Sequence, residues 1–338
     1  QVAGVRDEHG LEILLHQLLQ LAPVSRTAAE VDAKGIERGG RHGLPFRIAG
    51  LRRGNRANGF RRSGRGGAAR STALTQRRLH RVDDRERRRV FLERRAHRVA
   101  RELQQRLGVE RLLVLNDFTA LALALPELTP SELRQVGGGR PVPQAPLALI
   151  GPGTGLGVSG LLPLPGGRGH VAIGGEGGHV TLAACDDEER AVLECMERHF
   201  GHVSAERALS GPGLENLHRC VLEVAGYQAE PRAAHQIASA GLDGSDCASE
   251  HALTIFCSLL GQVAGNLALT LGARGGVYIG GGIVPRLGEW FDRSPFRERF
   301  EAKGRFASYL SKIPVFVVQS EVSPALLGAS RALDLLAA

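Results

Sequence analysis

Asn116 and Asp117 are the residues of this chain best suited to chemistry. They sit inside an apolar run, LLVLNDFTALALAL (112–125), in which 111–115 predicts a buried strand and the residues from Asp117 onward predict a helix. A carboxylate at the end of an interior strand, where the chain turns into a helix, lies where open α/β sheets bind ligands. There Asp117 can accept a proton from a substrate hydroxyl, the work of a general base.

Gly-rich turns follow. LALIGPGTGLGVSGLL (147–162) predicts strand, turn, strand, with Gly151, Gly153, Gly155 and Gly157 around Thr154. Glycines permit positive φ and let backbone N–H groups approach an anion, and Thr154 adds a hydroxyl. No Gly-Lys-Ser/Thr follows, so this is not a P-loop. Alone, such a hairpin is a tight turn more often than a phosphate cradle; its place after Asp117 favours the cradle. GGEGGHV (174–180) sets Glu176 and His179 three apart between glycines, where carboxylate and imidazole can both reach sugar hydroxyls. The plain alternative is an exposed polar loop. GARGGVYIGGGIVPRL (272–287) is again strand then turn, with Gly280, Gly281 and Gly282 open to a flat ligand or phosphates, or simply a tight strand-to-helix turn. In HVSAERALSGPGLENL (202–217), Ser204 is a candidate N-cap with Arg207 at the capping-box position, and Glu206 in the first turn suits the helix dipole.

The elements that must hold these residues alternate. Helices are predicted at 100–108 (stopped by Gly108), 187–200, 204–209, 213–225 and 251–272, the last carrying a stripe of Leu253, Phe256, Leu260, Val263, Leu267 and Leu271. Strands are predicted at 111–115, 146–150, 157–162, 178–182, 276–280 and 314–319. Strands alternating with helices predict an α/β fold.

Composition narrows the class. The 338 residues suffice for two domains, and 43% hydrophobic content with a mean hydropathy of −0.10 suits a globular chain. No apolar stretch reaches the ~18 residues of a membrane span; the nearest, 258–273, carries Gln262 and Asn266. No secretory signal is visible, and a first residue of Gln1 implies a start codon upstream. The five cysteines, Cys185, Cys195, Cys220, Cys247 and Cys257, are scattered without a CxxC pair, so reduced thiols in a cytoplasmic protein are expected, with neither disulfides nor a zinc site.

The net charge of +8 averages two unlike parts. Residues 1–100 hold 22 Arg and 1 Lys against 10 acidic residues, whereas 101–338 hold 20 basic and 25 acidic. The first part has three aromatics, Phe46, Phe60 and Phe91, and one amphipathic helix, around 11–21, before apolar periodicity fades. Its stretch RRGNRANGFRRSGRGGAAR (52–70) has too few apolar residues to offset chain entropy. Three readings compete: a disordered extension, an Arg-rich arm tracking nucleic-acid phosphates, or translation out of the natural frame. Forty Arg against three Lys imply a GC-rich gene, which out of frame tends to yield Arg, Gly and Ala, and the frame reading is preferred. An intact open frame across codons 85–105, with no better-patterned protein in the other frames, would exclude it.

LNDFTALALALP, GPGTGLGV, GEGGHV, HVSAERALSGPGL and GGVYIGGGIVPR, in this order, resemble the bacterial ATP-dependent glucokinase family of the non-ROK type over about 99–336. The resemblance implies an actin-like (ribonuclease H-like) ATPase fold of two α/β domains closing over a cleft. It divides the chain into an atypical 1–98, the end of a small domain at 99–125, a large domain at 126–317 and a return to the small domain at 318–338. It implies phosphorylation of glucose by ATP with Mg2+ held mainly through the nucleotide, in the cytoplasm, without membrane or nucleic-acid partners, and with a homodimer as an option. Residue by residue, it makes Asp117 the base facing the 6-hydroxyl, puts Asn116, Asp117, Glu176, His179 and Glu206 on the sugar, and puts Gly153, Thr154, Gly155 and Gly280 to Gly282 on the nucleotide. No metal ligand among the side chains is implied, and the His/Cys zinc motif of the ROK kinases is not seen. One departure stands out: the family's N-terminal Asp-x-Gly-Gly-Thr-Asn turn has no match in 1–98. That gap favours a competing reading, a catalytically inactive sugar-binding or regulatory protein with a basic arm on nucleic acid. The retained turns at 151–157 and 280–282 argue against it.

Overall fold

In the central strands alternate side chains look to opposite layers, as the two-residue period of a strand requires. Ala148 and Ile150 of β2 (Leu147–Pro152), Val277 and Ile279 of β5 (Gly276–Ile279), and Val315 and Val317 of β6 (Val315–Val318) join the larger core. Leu149, Tyr278 and Val318 face the other way, into a smaller cluster with Phe118, Leu121, Ala122 and Leu125. The central strands of the sheet are thereby covered on both faces.

This computed structural model describes residues 102–106, 108, 109, 112–167, 169–320 and 323–335. The Arg-rich region 1–98, its expected helix around 11–21 and the frame reading lie outside the described residues. Two compact units meet in sequence at Leu113–Val114. In the N-terminal one, 102–106 are helical and Gly108, at φ 63°, follows the turn, as expected there.

The second unit holds one six-stranded sheet of order β1-β6-β5-β2-β3-β4, with β1 at Leu133–Val136, β3 at Leu156–Pro163 and β4 at His170–Gly174. β2, β3 and β4 form an antiparallel meander; β5 and β6 then extend it on the other side, parallel to β2. On one face lie α1 (Asp117–Ala124) and α10 (Ala325–Leu335), packed so closely that a Cβ on Gly328 would overlap the Ala120 carbonyl oxygen. The opposite core is filled from α2 (Asp187–Phe200), α3 (Ala205–Ala208), α4 (Gly211–Val224), α5 (Ala234–Leu242), α6 (Cys247–Leu271), α7 (Val284–Arg293), α8 (Phe296–Glu301) and α9 (Ala307–Leu310).

Helix α6 is the core's axis. Asp246 caps it by accepting from Ser249 N at 3.1 Å, and Gly272 ends it in the left-handed conformation at φ 60°. Its length and composition would let it cross a membrane, yet 78% of its most apolar window is buried inside the protein. That burial marks a core helix, longer than the 251–272 expected.

The predicted strand at 111–115 is corrected. Residues 112–116 are not strand, Val114 is exposed, and no described strand pairs with them, so the apolar run has no ladder to join. The predicted strand at 178–182 reduces to a 3-10 turn, Gly177–His179, and a single bridge from Thr181 to Ser204. The remaining strand and helix expectations stand within a few residues of their observed bounds.

Candidate functional site

The N-terminus of α1 is built by Asn116 and Asp117. Asn116 is extended, and its Oδ1 accepts from Phe118 N at 2.9 Å and Thr119 N at 3.1 Å, satisfying two of the donors a helix start leaves unpaired. This commits Oδ1 to the cap and leaves Nδ2 as the donor for a ligand. Asp117 Oδ1 accepts from Phe118 N at 2.9 Å, and its charge favours the helix dipole. Asp117 is half-buried and Asn116 exposed.

Phe118, which sequence reasoning passed over, holds this helix end to the glycine turns. A Cβ on Gly151 would lie 2.5 Å from Phe118 Cζ and 2.7 Å from the Gly280 carbonyl carbon, and one on Gly157 would overlap the ring. Gly151 and Gly157 are register partners in the β2–β3 hairpin. Two facing glycines make a hole one aromatic ring deep, and that pairing was the available signal. Packing gives these glycines a structural reason of their own: Gly151, Gly157 and Gly280 make room for α1, and of the two turns only Gly281 (φ 78°) has positive φ. Gly157→Ala is expected to cost about 1–3 kcal/mol through overpacking. It would be read as a Tm lower by several degrees, and an unchanged Tm would show the ring free to move aside.

The tip of the hairpin is Gly153-Thr154-Gly155, closed by Gly153 N donating to Gly155 O at 2.8 Å, with Thr154 exposed. Gly211 N, at the start of α4, donates to Gly153 O at 2.8 Å. Glu206 of α3 accepts from Leu156 N through Oε2 at 2.8 Å, against Gly155. Glu206 is therefore tied directly to the turn assigned to the nucleotide. Ser204 makes no side-chain cap; its place is fixed by the backbone, with Ala205 N donating to Val180 O at 2.9 Å and Leu182 N to Val203 O at 3.0 Å. Arg207 instead lays its guanidinium over the Phe200 ring, 4.4 Å from the centroid.

That pairing draws the Glu176–His179 loop to the same place. Gly177 packs on Val158, Gly178 on Leu156 O, and a Cβ on Gly174 would touch Thr119 Oγ1 at 3.6 Å. Glu176 and His179 are both exposed, linked by His179 N donating to Glu176 O at 3.0 Å. The Gly280–Gly282 turn joins from β5: Gly280 N donates to Ile150 O at 2.9 Å, Gly281 abuts Pro152 O, and Gly282 faces open space.

All the residues singled out in the sequence thus gather near one end of the sheet. The two glycine turns leave the carboxyl ends of β2 and β5, neighbouring parallel strands, which is where open α/β sheets bind ligands. A surface hollow of about 820 Å3, lined by Arg140, Arg274 and Lys312 among others, lies near the amino end of β5 and shares none of these residues.

Fold and site define a class, α/β proteins of the actin-like ATPase fold to which sugar kinases belong. The family model Glucokinase matches residues 97–335. The Aromatoleum aromaticum glucokinase is 56% identical over 233 residues, covering 69% of this chain and 70% of its own length. That of Chromobacterium violaceum is 57% identical over 222 residues, covering 66% and 63%. The solved glucokinase from an Antarctic psychrotroph superposes with a TM-score of 0.63 at 35% identity, covering 68% of this chain and 71% of its own. The chain belongs to the glucokinase family.

Proposed function

We propose that the chain transfers the γ-phosphoryl group of ATP to the 6-hydroxyl of D-glucose, making glucose 6-phosphate for entry into glycolysis. The observation that carries this is Asp117 on the first turn of α1, pinned by Phe118 against both glycine turns. A base must sit within hydrogen-bond reach of the proton it removes, and Asp117 is held at the start of α1, near the carboxyl ends of β2 and β5 and the Glu176, His179 and Glu206 loops.

In this reading glucose lies over Asn116 Nδ2, Asp117, Glu176, His179 and the free side of Glu206. MgATP, its ion carried on the phosphates, lies along Gly153–Gly155 and Gly280–Gly282. Phosphoryl transfer depends on positioning and charge stabilisation more than on covalent chemistry, so backbone donors of the turns and Asp117 share the work. We also assign 99–125 and 318–338 to the small domain and 126–317 to the large one, for which the packing of α10 on α1 is support. Cytoplasmic location and a homodimer belong to the same proposal.

The test is glucose-dependent ADP production by the purified chain, beside one in which 1–98 is replaced by a family-type segment with its Asp-x-Gly-Gly-Thr-Asn turn. Turnover in the second chain is expected to exceed that in the first. Glucose binding without ADP from either would overturn the kinase reading and mark a sugar-binding protein.

A further inference from the structure

Helices α2 and α4 carry a second cluster of chemistry-bearing side chains that the proposed reaction does not use. Cys195 and His199 are four apart on α2, and Cys220 and Glu223 three apart on α4, so each pair lies on one helix face. The two faces meet. The Cys195 and Cys220 Sγ atoms and a His199 ring nitrogen all lie within 4.8 Å of one another. Glu223 completes the ring: His199 Nε2 is 2.9 Å from Glu223 Oε2, and the Cys195 thiol donates to the same oxygen at 3.2 Å.

We propose that Cys195, His199, Cys220 and Glu223 form a structural zinc site that staples α2 to α4. The donor set of two thiolates, an imidazole and a carboxylate is one that zinc takes in tetrahedral geometry. With zinc–sulfur bonds of about 2.3 Å, tetrahedral ligand atoms stand about 3.4–3.8 Å apart, so the sulfur and ring atoms, now within 4.8 Å of one another, would draw in, while the Glu223 contacts at 2.9 and 3.2 Å would open slightly. Two-residue arms at helical spacing on adjacent helices are a known way to build a metal site between helices. Both cysteines are fully buried, whereas His199 and Glu223 reach solvent and give the ion an entry path.

Burial pushes both thiols above their ordinary range, Cys220 the more strongly with Cys195 beside it, so without metal they keep their protons. Zinc displaces them: two S–H bonds break, two Zn–S bonds form, and two protons leave to solvent, with no change of oxidation state. The ion, two thiolates and the Glu223 carboxylate sum to one negative charge, which Arg219, 3.8 Å from Glu223 Oε1, offsets. The absence of a CxxC pair hid the site in the sequence, because its arms are Cys-x3-His and Cys-x2-Glu on separate helices.

The test uses the full chain, stripped with chelator and titrated with zinc alone and with Co2+ alone. One ion per chain, two protons released per ion and a thiolate-to-cobalt charge-transfer band are expected. Free zinc at ~100 times Kd should raise Tm by about 5–10 °C. Cys195→Ser/Cys220→Ser should lose the band and the proton release, whereas Cys185→Ser/Cys247→Ser, at the two exposed thiols, should keep both. The proposal is overturned if the unaltered chain shows no charge-transfer band, releases no protons, or is found with a Cys195–Cys220 disulfide and no zinc. These readouts need no variant, so a poorly folding double mutant does not blunt them.

Discussion

Asp117→Asn is expected to lower kcat about 10²–10⁴-fold while glucose affinity changes only a few-fold. The amide keeps the shape of the carboxylate and can still accept from Phe118 N, as Asp117 Oδ1 does at 2.9 Å, so the helix start survives. What it cannot do is take the proton of the 6-hydroxyl. The loss should therefore fall on kcat rather than on KM, the mark of an interaction needed only as the reaction proceeds. Part of the dipole benefit of a charge in the first turn, about 0.3–1 kcal/mol, is lost as well, and a Tm measurement separates that from the chemistry. The comparison is made in whichever chain of the two described above turns over faster. Near-parental kcat in the variant would remove Asp117 from the role of base.

Phe118→Ala should be the most damaging single truncation on the α1 face of the sheet, costing about 3–5 kcal/mol. Its ring fills the space left by the register-paired Gly151 and Gly157 and reaches to within 3.9 Å of where a Cβ on Gly280 would stand. Three of the neighbours are glycines with no side chain to move in, so only Leu121 and Leu149 could relax into the hole. For a unit of this size the cost corresponds to a Tm lower by about 10 °C or more. Activity measured well below that Tm should fall too, because Asp117 is the adjacent residue and the ring sets where it points. A variant with unchanged Tm would show the ring to be dispensable, and with it the account of why those glycines are there.

Both arguments depend on Phe118, and the sequence reading did not reach it. What was legible were features with a period or a punctuation. The stripe of α6, the Gly-rich turns after β2 and β5 and the strands β2, β3, β5 and β6 announced themselves by spacing, whereas β1 and β4, at the two edges of the sheet, were not expected. The N-cap at Asn116 was half-legible: the pair was located, but assigned wholly to ligand, when Oδ1 is spent on the helix. Three things were hidden because they depend on distant partners. Whether 111–115 is strand depends on a neighbour to pair with, and that depends on no property of its own residues. Glu206 looked like an ordinary first-turn acid until Leu156 N, fifty positions away, turned out to be its partner. Glycines at 151, 157 and 280 were read for what they could offer a ligand, and the room they leave for α1 depends on Phe118 and Leu121, residues far off in the sequence.

The contact between α1 and α10 bears on how the protein is made. The helix that carries Asp117 rests on a helix that begins at Ala325, with Gly328 set against Ala120. About two hundred residues separate the two, and loop closure over such a distance is slow compared with forming any hairpin or helix between them. At ~5–20 residues per second, a ribosome that has just added Asp117 needs about 10–40 s more to add the residues that cover it. The meander of β2 to β4 and the bundle around α6 can form in that interval; the finished reactive end cannot. A nascent chain released a dozen residues early would carry every side chain assigned to sugar and nucleotide, and still lack the support on which the first of them stands.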